Sequence, residues 1–274
     1  MKNYNNNNNN RENHSIPYEV GSTSSLGRQM LNKVPEITIF FWIIKVLTTG
    51  MGEVASDYLA NHLNPVIAVA LAGICLVASL VMQFSVRRYV AWIYWLNVVM
   101  VSIFGTMAAD VLHVGFGISY LVSTTFFVVV LTIIFATWYA SEKTMSIHSI
   151  YTHHREAFYW ATILTTFALG TAVGDMTATT MHLGYFFSGV LFALVIAIPA
   201  MAYWLFGMNE IFAFWFAYVV TRPLGASFAD WMGVSHDRGG LGLGTGSVSL
   251  GLTIIILGLV GYMAITRKDV KVGE

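Results

Sequence analysis

WIIKVLTTGMGEVASD, residues 42–57, decides the fold, because its skeleton returns three more times. Residues 95–110 read WLNVVMVSIFGTMAAD, 160–175 read WATILTTFALGTAVGD, and 215–230 read WFAYVVTRPLGASFAD. In every copy a glycine falls ten residues after the tryptophan, and an aspartate five after the glycine. Phe41, Tyr94, Tyr159 and Phe214 place an aromatic just before each tryptophan. Four ungapped matches are an internal repeat, and the repeat is the unit from which the architecture is built.

Working outward, the chain has 274 residues, of which 56% are hydrophobic and only 10% charged. Its mean hydropathy is +0.66. Soluble domains carry about 25% charged residues, so this is the composition of a polytopic membrane protein. A formal net charge of zero removes the general electrostatic case for nucleic acid. The single cysteine, Cys75, has no internal disulfide partner and reads as a small buried hydrophobe. The start, MKNYNNNNNNRENHS, lacks the apolar core of a cleavable signal peptide.

Residues 1–33 are polar and asparagine-rich, which predicts a disordered tail. Eight apolar segments follow, at roughly 35–60, 65–85, 89–112, 117–140, 156–181, 185–206, 209–232 and 246–266. Each is near the ~20 residues a helix needs to cross the hydrocarbon. Residues 34–266 are thus one transmembrane domain, with repeats at about 34–86, 87–140, 156–207 and 208–266, and 267–274 form a short tail. Basic residues crowd the loops on the side of both termini, whereas the opposite loops hold only Arg238. The positive-inside rule then puts both termini in the cytosol, and the expected location is a bacterial inner membrane. Trp92, Trp138, Trp204 and Trp231 fall near helix ends and are expected at the membrane interfaces.

Each repeat is a motif helix followed by a plainer apolar helix. A unit that crosses twice leaves all four units in the same orientation, so the repeats are parallel and their symmetry axis runs along the membrane normal. The expected fold is all-α: eight transmembrane helices as four tandem two-helix repeats in a pseudo-fourfold bundle. The motif helices carry the polar residues and should lie inside. Fifteen residues at ~100° bring tryptophan and aspartate within about 60° of one face, about 22 Å apart along the axis. Trp42, Trp95, Trp160 and Trp215 should form a packed ring towards the cytosol. Gly52, Gly105, Gly170 and Gly225 should admit a neighbouring helix at close range.

The spans contain charges that need an explanation: Asp57, Asp110, Asp175 and Asp230 at one depth in the outer leaflet, then Glu53, Lys45 and Arg222. An ionised side chain at the bilayer centre costs about 2.5–3.5 kcal/mol, so these groups must face protein or water. One reading is structural, with each acid hydrogen-bonded to a neighbour or hydrated at a helix end. The other is a ring of carboxylates that selects cations. The repeats are not equivalent, since Glu53 corresponds to Thr106, Thr171 and Ala226, Lys45 to Val98, Ile163 and Tyr218, and Arg222 to Thr49, Ser102 and Phe167. We expect Lys45 and Arg222 each to neutralise one acid and to tune the site, Arg222 by pairing with Asp230 or Asp175. Glu53, Asp57 and Asp110 would then be left for a guest cation.

His62, His113, His182 and His236 follow the four aspartates at irregular offsets; as solvated loop residues they need no role, and as metal ligands they would favour manganese, iron, zinc or nickel. On the other side, His148, His153 and His154 share one loop, either as an ordinary interfacial loop or as a metal sensor. The glycine-rich connection at 239–246 is either a flexible linker or a re-entrant loop offering carbonyls at the bundle mouth.

Three blocks carry a resemblance: KVPEITIFFWIIKVLTTGMGEVASDYL (33–59), TRPLGASFADW (221–231) and GGLGLGTGSVSL (239–250). From about 33 to 266 the chain resembles a bacterial family known only as uncharacterised membrane-anchored proteins. The resemblance implies a multi-pass membrane protein and lends no activity or site residues.

The function expected from the residues is an integral membrane transporter or channel for inorganic cations, divalent metals favoured and proton coupling an option. Its partners would be the lipid bilayer and the cation, with no resident cofactor. The competing reading is a non-transporting sensor or assembly scaffold whose carboxylates are structural. An enzyme is not expected, because neither an HExxH nor a GxSxG motif occurs.

Overall fold

A computed structural model describes residues 32–269. Residues 1–31 and 270–274, most of the two expected tails, lie outside the described residues. Among the described residues, eight helices are long and apolar enough to span a membrane. They are α1 (Ile39–His62), α2 (Pro65–Ser85), α3 (Ala91–Asp110), α4 (Tyr120–Glu142), α5 (His153–Asp175), α6 (Gly184–Phe206), α7 (Glu210–Gly233) and α8 (Thr245–Thr266). Short π-helical turns, Val111–Gly115 and Met176–Thr180, extend α3 and α5. Local chemistry sets several starts. Asn64 caps α2 ahead of Pro65 in the first turn, Thr152 caps α5, and Asn209 accepts from the amides of Ile211 and Phe212 at the head of α7.

The odd-numbered helices form a closed ring in which α1 packs on α3, α3 on α5, α5 on α7, and α7 back on α1. The even-numbered helices stand outside it, and their exposed sides are apolar, as Val66, Ile74 and Val77 are on α2. This is an all-α, multi-pass membrane fold of four two-helix repeats. Each outer helix packs chiefly on the inner helix of the next repeat: α2 on α3, α4 on α5, α6 on α7, and α8 on α1. The last helix of the chain therefore covers the first.

Two side-chain interlocks repeat around the ring. At the tryptophan end, the aromatic before each tryptophan meets the tryptophan of the following repeat: Phe41 with Trp95, Tyr94 with Trp160, Tyr159 with Trp215, and Phe214 with Trp42, at 5.8, 5.5, 6.2 and 5.7 Å between centroids. Each such pair contributes about 0.5–1.5 kcal/mol beyond area burial. At mid-height each repeat glycine faces one side chain of the next repeat. Gly52 faces Ser102, Gly105 faces Phe167, Gly170 faces Arg222, and Gly225 faces Thr49, all so closely that a Cβ would overlap the neighbour. The glycines are sockets for the residue seven after the next tryptophan.

Three expectations change here. Trp138 is not an interface residue but fully buried against Trp215 and Phe158, because it faces the inner ring from α4. Trp92 and Trp204 are exposed. Cys75 is exposed on α2, since the buried stripe of that outer helix runs through Ala68, Ala72, Leu76, Ser79 and Gln83. Finally, the described ends of the tails are packed. Lys33 is buried in an ion pair with Glu156 at 2.6 Å, supported by Gln83, and Asp269 is buried beneath the Tyr89 hydroxyl.

Candidate functional site

Four levels of side chains stack along the ring axis between the inner helices. Lowest is the aromatic girdle, tightened by a 2.6 Å hydrogen bond between the Tyr94 and Tyr159 hydroxyls. Above it lies Lys45, buried, with Nζ 4.1 Å from the ring centroids of both Phe167 and Tyr218. Lys45 meets no carboxylate; it is held by two π faces, and Nζ has no hydrogen-bond partner. The expectation that it neutralises an acid does not hold, because its layer contains none.

The third layer centres on Arg222. Its Nη2 donates to Glu53 Oε2 at 2.7 Å, to Thr171 Oγ1 at 2.7 Å and to Thr106 Oγ1, while Nη1 donates to the Thr49 carbonyl at 2.9 Å. Thr171 and Thr106 also donate to Glu53 Oε2, at 3.2 and 3.4 Å. The expected pairing of Arg222 with Asp230 or Asp175 is therefore replaced by pairing with Glu53. Rise explains it. The Glu53 layer is four residues, about 6 Å, above that of Arg222, whereas the aspartates are eight residues, about 12 Å, above it. The stem of Arg222 rises over Gly170, three register positions above it, which carries the guanidinium up to Glu53.

The top layer is the acidic one. Asp57, Asp110, Asp175 and Asp230 all line a single cavity of about 630 Å³, with Glu53 at its floor. Oxygens of Glu53, Asp175 and Asp230 lie within 4.8 Å of one another, close enough for one cation to bridge all three. Asp230 is buried, and its Oδ1 has no hydrogen-bond partner; the same is true of Ser56 Oγ, on the cavity wall. In the second and third repeats the π-helical turn begins at the residue after the aspartate, a local widening often found at functional positions. Tyr120, Tyr185 and Arg238 complete the mouth, and Arg238 donates to the Tyr185 hydroxyl at 2.9 Å. The Arg238 guanidinium is charged at any working pH. Among the ionisable groups around the cavity, five carboxylates face two guanidiniums, a formal charge of −3.

Each two-helix unit of this ring coincides with a match to one family model, described as a Repeat of Unknown Function (DUF347), at residues 40–89, 93–144, 158–208 and 213–269. The chain belongs to the DUF347 family. No curated protein and no solved structure matches it.

Every DUF347 unit supplies one aspartate to the cavity, but the units do not supply a histidine. His62, His113 and His236 turn a ring nitrogen to the carbonyls of Tyr58, Ile118 and Gly240 in their own connections. His182 is exposed, and none of the four lines the acidic cavity. In the opposite loop, His154 and Arg155 both bind Glu142, and His148 lies 3.7 and 3.9 Å from Glu36 and Glu210. The glycine-rich connection of the fourth unit is ordered. Leu241, Gly242, Leu243 and Gly244 donate backbone N–H groups to the carbonyls of Trp231, Val234, Met232 and Gly233. Positive φ at Gly239, Gly242 and Gly244 permits this path. It caps the end of α7, so the N–H groups of Leu241, Gly242, Leu243 and Gly244 are spent there.

Sequence reasoning did not single out Ser56, Tyr120, Tyr185 or Arg238. A signal existed for the tyrosines, since each follows its repeat aspartate by ten residues.

Proposed function

We propose that this protein is a carrier for inorganic cations, with divalent ions preferred, that loads the acidic cavity from the outer side of the membrane. The distribution of basic residues supports placing the aspartate end outside. The observation that carries the reading is the convergence of Glu53, Asp175 and Asp230 within 4.8 Å, with one buried oxygen of Asp230 left without a partner. Hard divalent cations take all-oxygen ligand sets of this kind, and Asp57 and Asp110 would hold the outer hydration shell.

A carrier is favoured over an open channel because the axis is filled beneath the acids. A cation moving straight down would meet Arg222, then Lys45 between two rings, then the aromatic girdle. Passage therefore requires the inner helices to rearrange. The same plug favours a second reading, a sensor that binds the cation without moving it. Reconstitution into liposomes separates them. Uptake of Mn²⁺ or another divalent ion by the wild type, lost in a quadruple Asp→Asn variant at positions 57, 110, 175 and 230, supports a carrier. Saturable binding without uptake supports a sensor.

A further inference from the structure

Two demands meet at one carboxylate. Glu53 Oε2 accepts from Arg222, Thr171 and Thr106, yet the Glu53 carboxylate also supplies an oxygen to the trio with Asp175 and Asp230. A divalent ion in that trio would share Glu53 with a guanidinium. Both positive charges would be buried, where their repulsion is poorly screened. Ligand capacity beyond what Arg222 uses is present, because Asp230 Oδ1 is buried without a partner beside the same cavity.

The stem of Arg222 is anchored, while its head keeps one unused donor. Its Nε has no partner, its stem lies in the socket over Gly170, and its guanidinium carbon is 5.1 Å from the Phe167 ring centroid. Pro223 follows it inside α7, so the helix lacks one backbone bond at that turn. The charged group sits beside that missing bond.

We propose that Arg222 is a tethered competitor for the cation. It holds Glu53 when no cation is bound, and a divalent ion that engages Glu53, Asp175 and Asp230 displaces it. This rests on the cation-site reading above and adds what sets the affinity of that site. The free site is self-neutralised, and only an ion that binds better than the protein's own guanidinium can enter.

The test is Mn²⁺ binding to purified protein by titration calorimetry, comparing wild type, Arg222→Lys and Arg222→Gln. A competitor, once removed, raises apparent affinity, so Arg222→Gln should bind about tenfold tighter or more, with Arg222→Lys between it and the wild type. A purely structural Arg222 gives the opposite sign, weaker binding in Arg222→Gln, and that result overturns the proposal. Hydrogen exchange on the wild type needs no variant: saturating Mn²⁺ should speed exchange of amides in residues 219–227, and slower or unchanged exchange contradicts displacement. Equal affinity of the wild type and Arg222→Gln removes the competitor and leaves the cation site standing. Failure of every form to bind removes both.

Discussion

Gly225 of the fourth repeat receives the side chain of Thr49 from the first. That contact closes the ring between the two ends of the domain, and it repeats the relation of Gly52 to Ser102, Gly105 to Phe167 and Gly170 to Arg222. Because the fit is to side chain and backbone together, it cannot be relieved by rotating one rotamer. Gly225→Ala should therefore destabilise the protein by about 1–3 kcal/mol through overpacking, despite the helix propensity of alanine. Gly258→Ala, at a position of α8 with nothing within 4 Å, should be neutral or stabilising by up to about 1 kcal/mol. Thermal unfolding of both variants in detergent checks the opposite signs.

Two buried lysines make opposite predictions. Lys33 is paired with Glu156, so Lys33→Met strands a buried carboxylate and should cost about 3–5 kcal/mol. Lys45 has no acid partner and lies between two aromatic rings. Lys45→Met keeps the volume and removes a buried polar head that has no hydrogen-bond partner, and should leave stability equal or raised by about 1 kcal/mol or more. Denaturant unfolding of the two variants decides this, and equal losses would contradict it.

The Tyr94–Tyr159 hydrogen bond closes half of the aromatic girdle, where the other two repeats have Phe41 and Phe214. Tyr94→Phe leaves the Tyr159 hydroxyl buried without its partner and should cost about 1–3 kcal/mol. The double Tyr94→Phe, Tyr159→Phe variant should recover most of that loss. A double-mutant cycle on unfolding measures the coupling.

Arg238 is the basic residue at the cavity mouth and is more exposed than Arg222. Arg238→Ala should raise apparent cation affinity a few-fold at low ionic strength, with the gain shrinking as salt is added. Calorimetric titrations at two salt concentrations would show it. A gain that does not depend on salt would place Arg238 in a direct contact instead.

Much of this was legible in the residues and some of it could not be. The four-fold spacing of tryptophan, glycine and aspartate gave the inner helices, their common face and the depth of the acids, since rise and rotation per residue are fixed by helix geometry. Lateral neighbours are not fixed that way. Nothing in the spacing says that α2 leaves its own α1 to pack on α3, or that α8 returns to cover α1. The partner of Arg222 depends on that lateral order and on the path of its long stem over Gly170, neither of which the spacing states. Trp138 looks like an interface residue by position and Lys33 like the end of a polar tail, and only long-range packing makes them core. Three of the four outer histidines show the converse, since backbone carbonyls in their own connections occupy them.

The most direct test is the Mn²⁺ electron paramagnetic resonance signal, followed as purified protein is added, for the wild type and the Asp175→Asn, Asp230→Asn variant. Gathered carboxylates that hold a cation predict saturable loss of the free-ion signal with the wild type and its abolition in a variant that remains folded. Equal loss of signal in both, or none in either, would contradict the account.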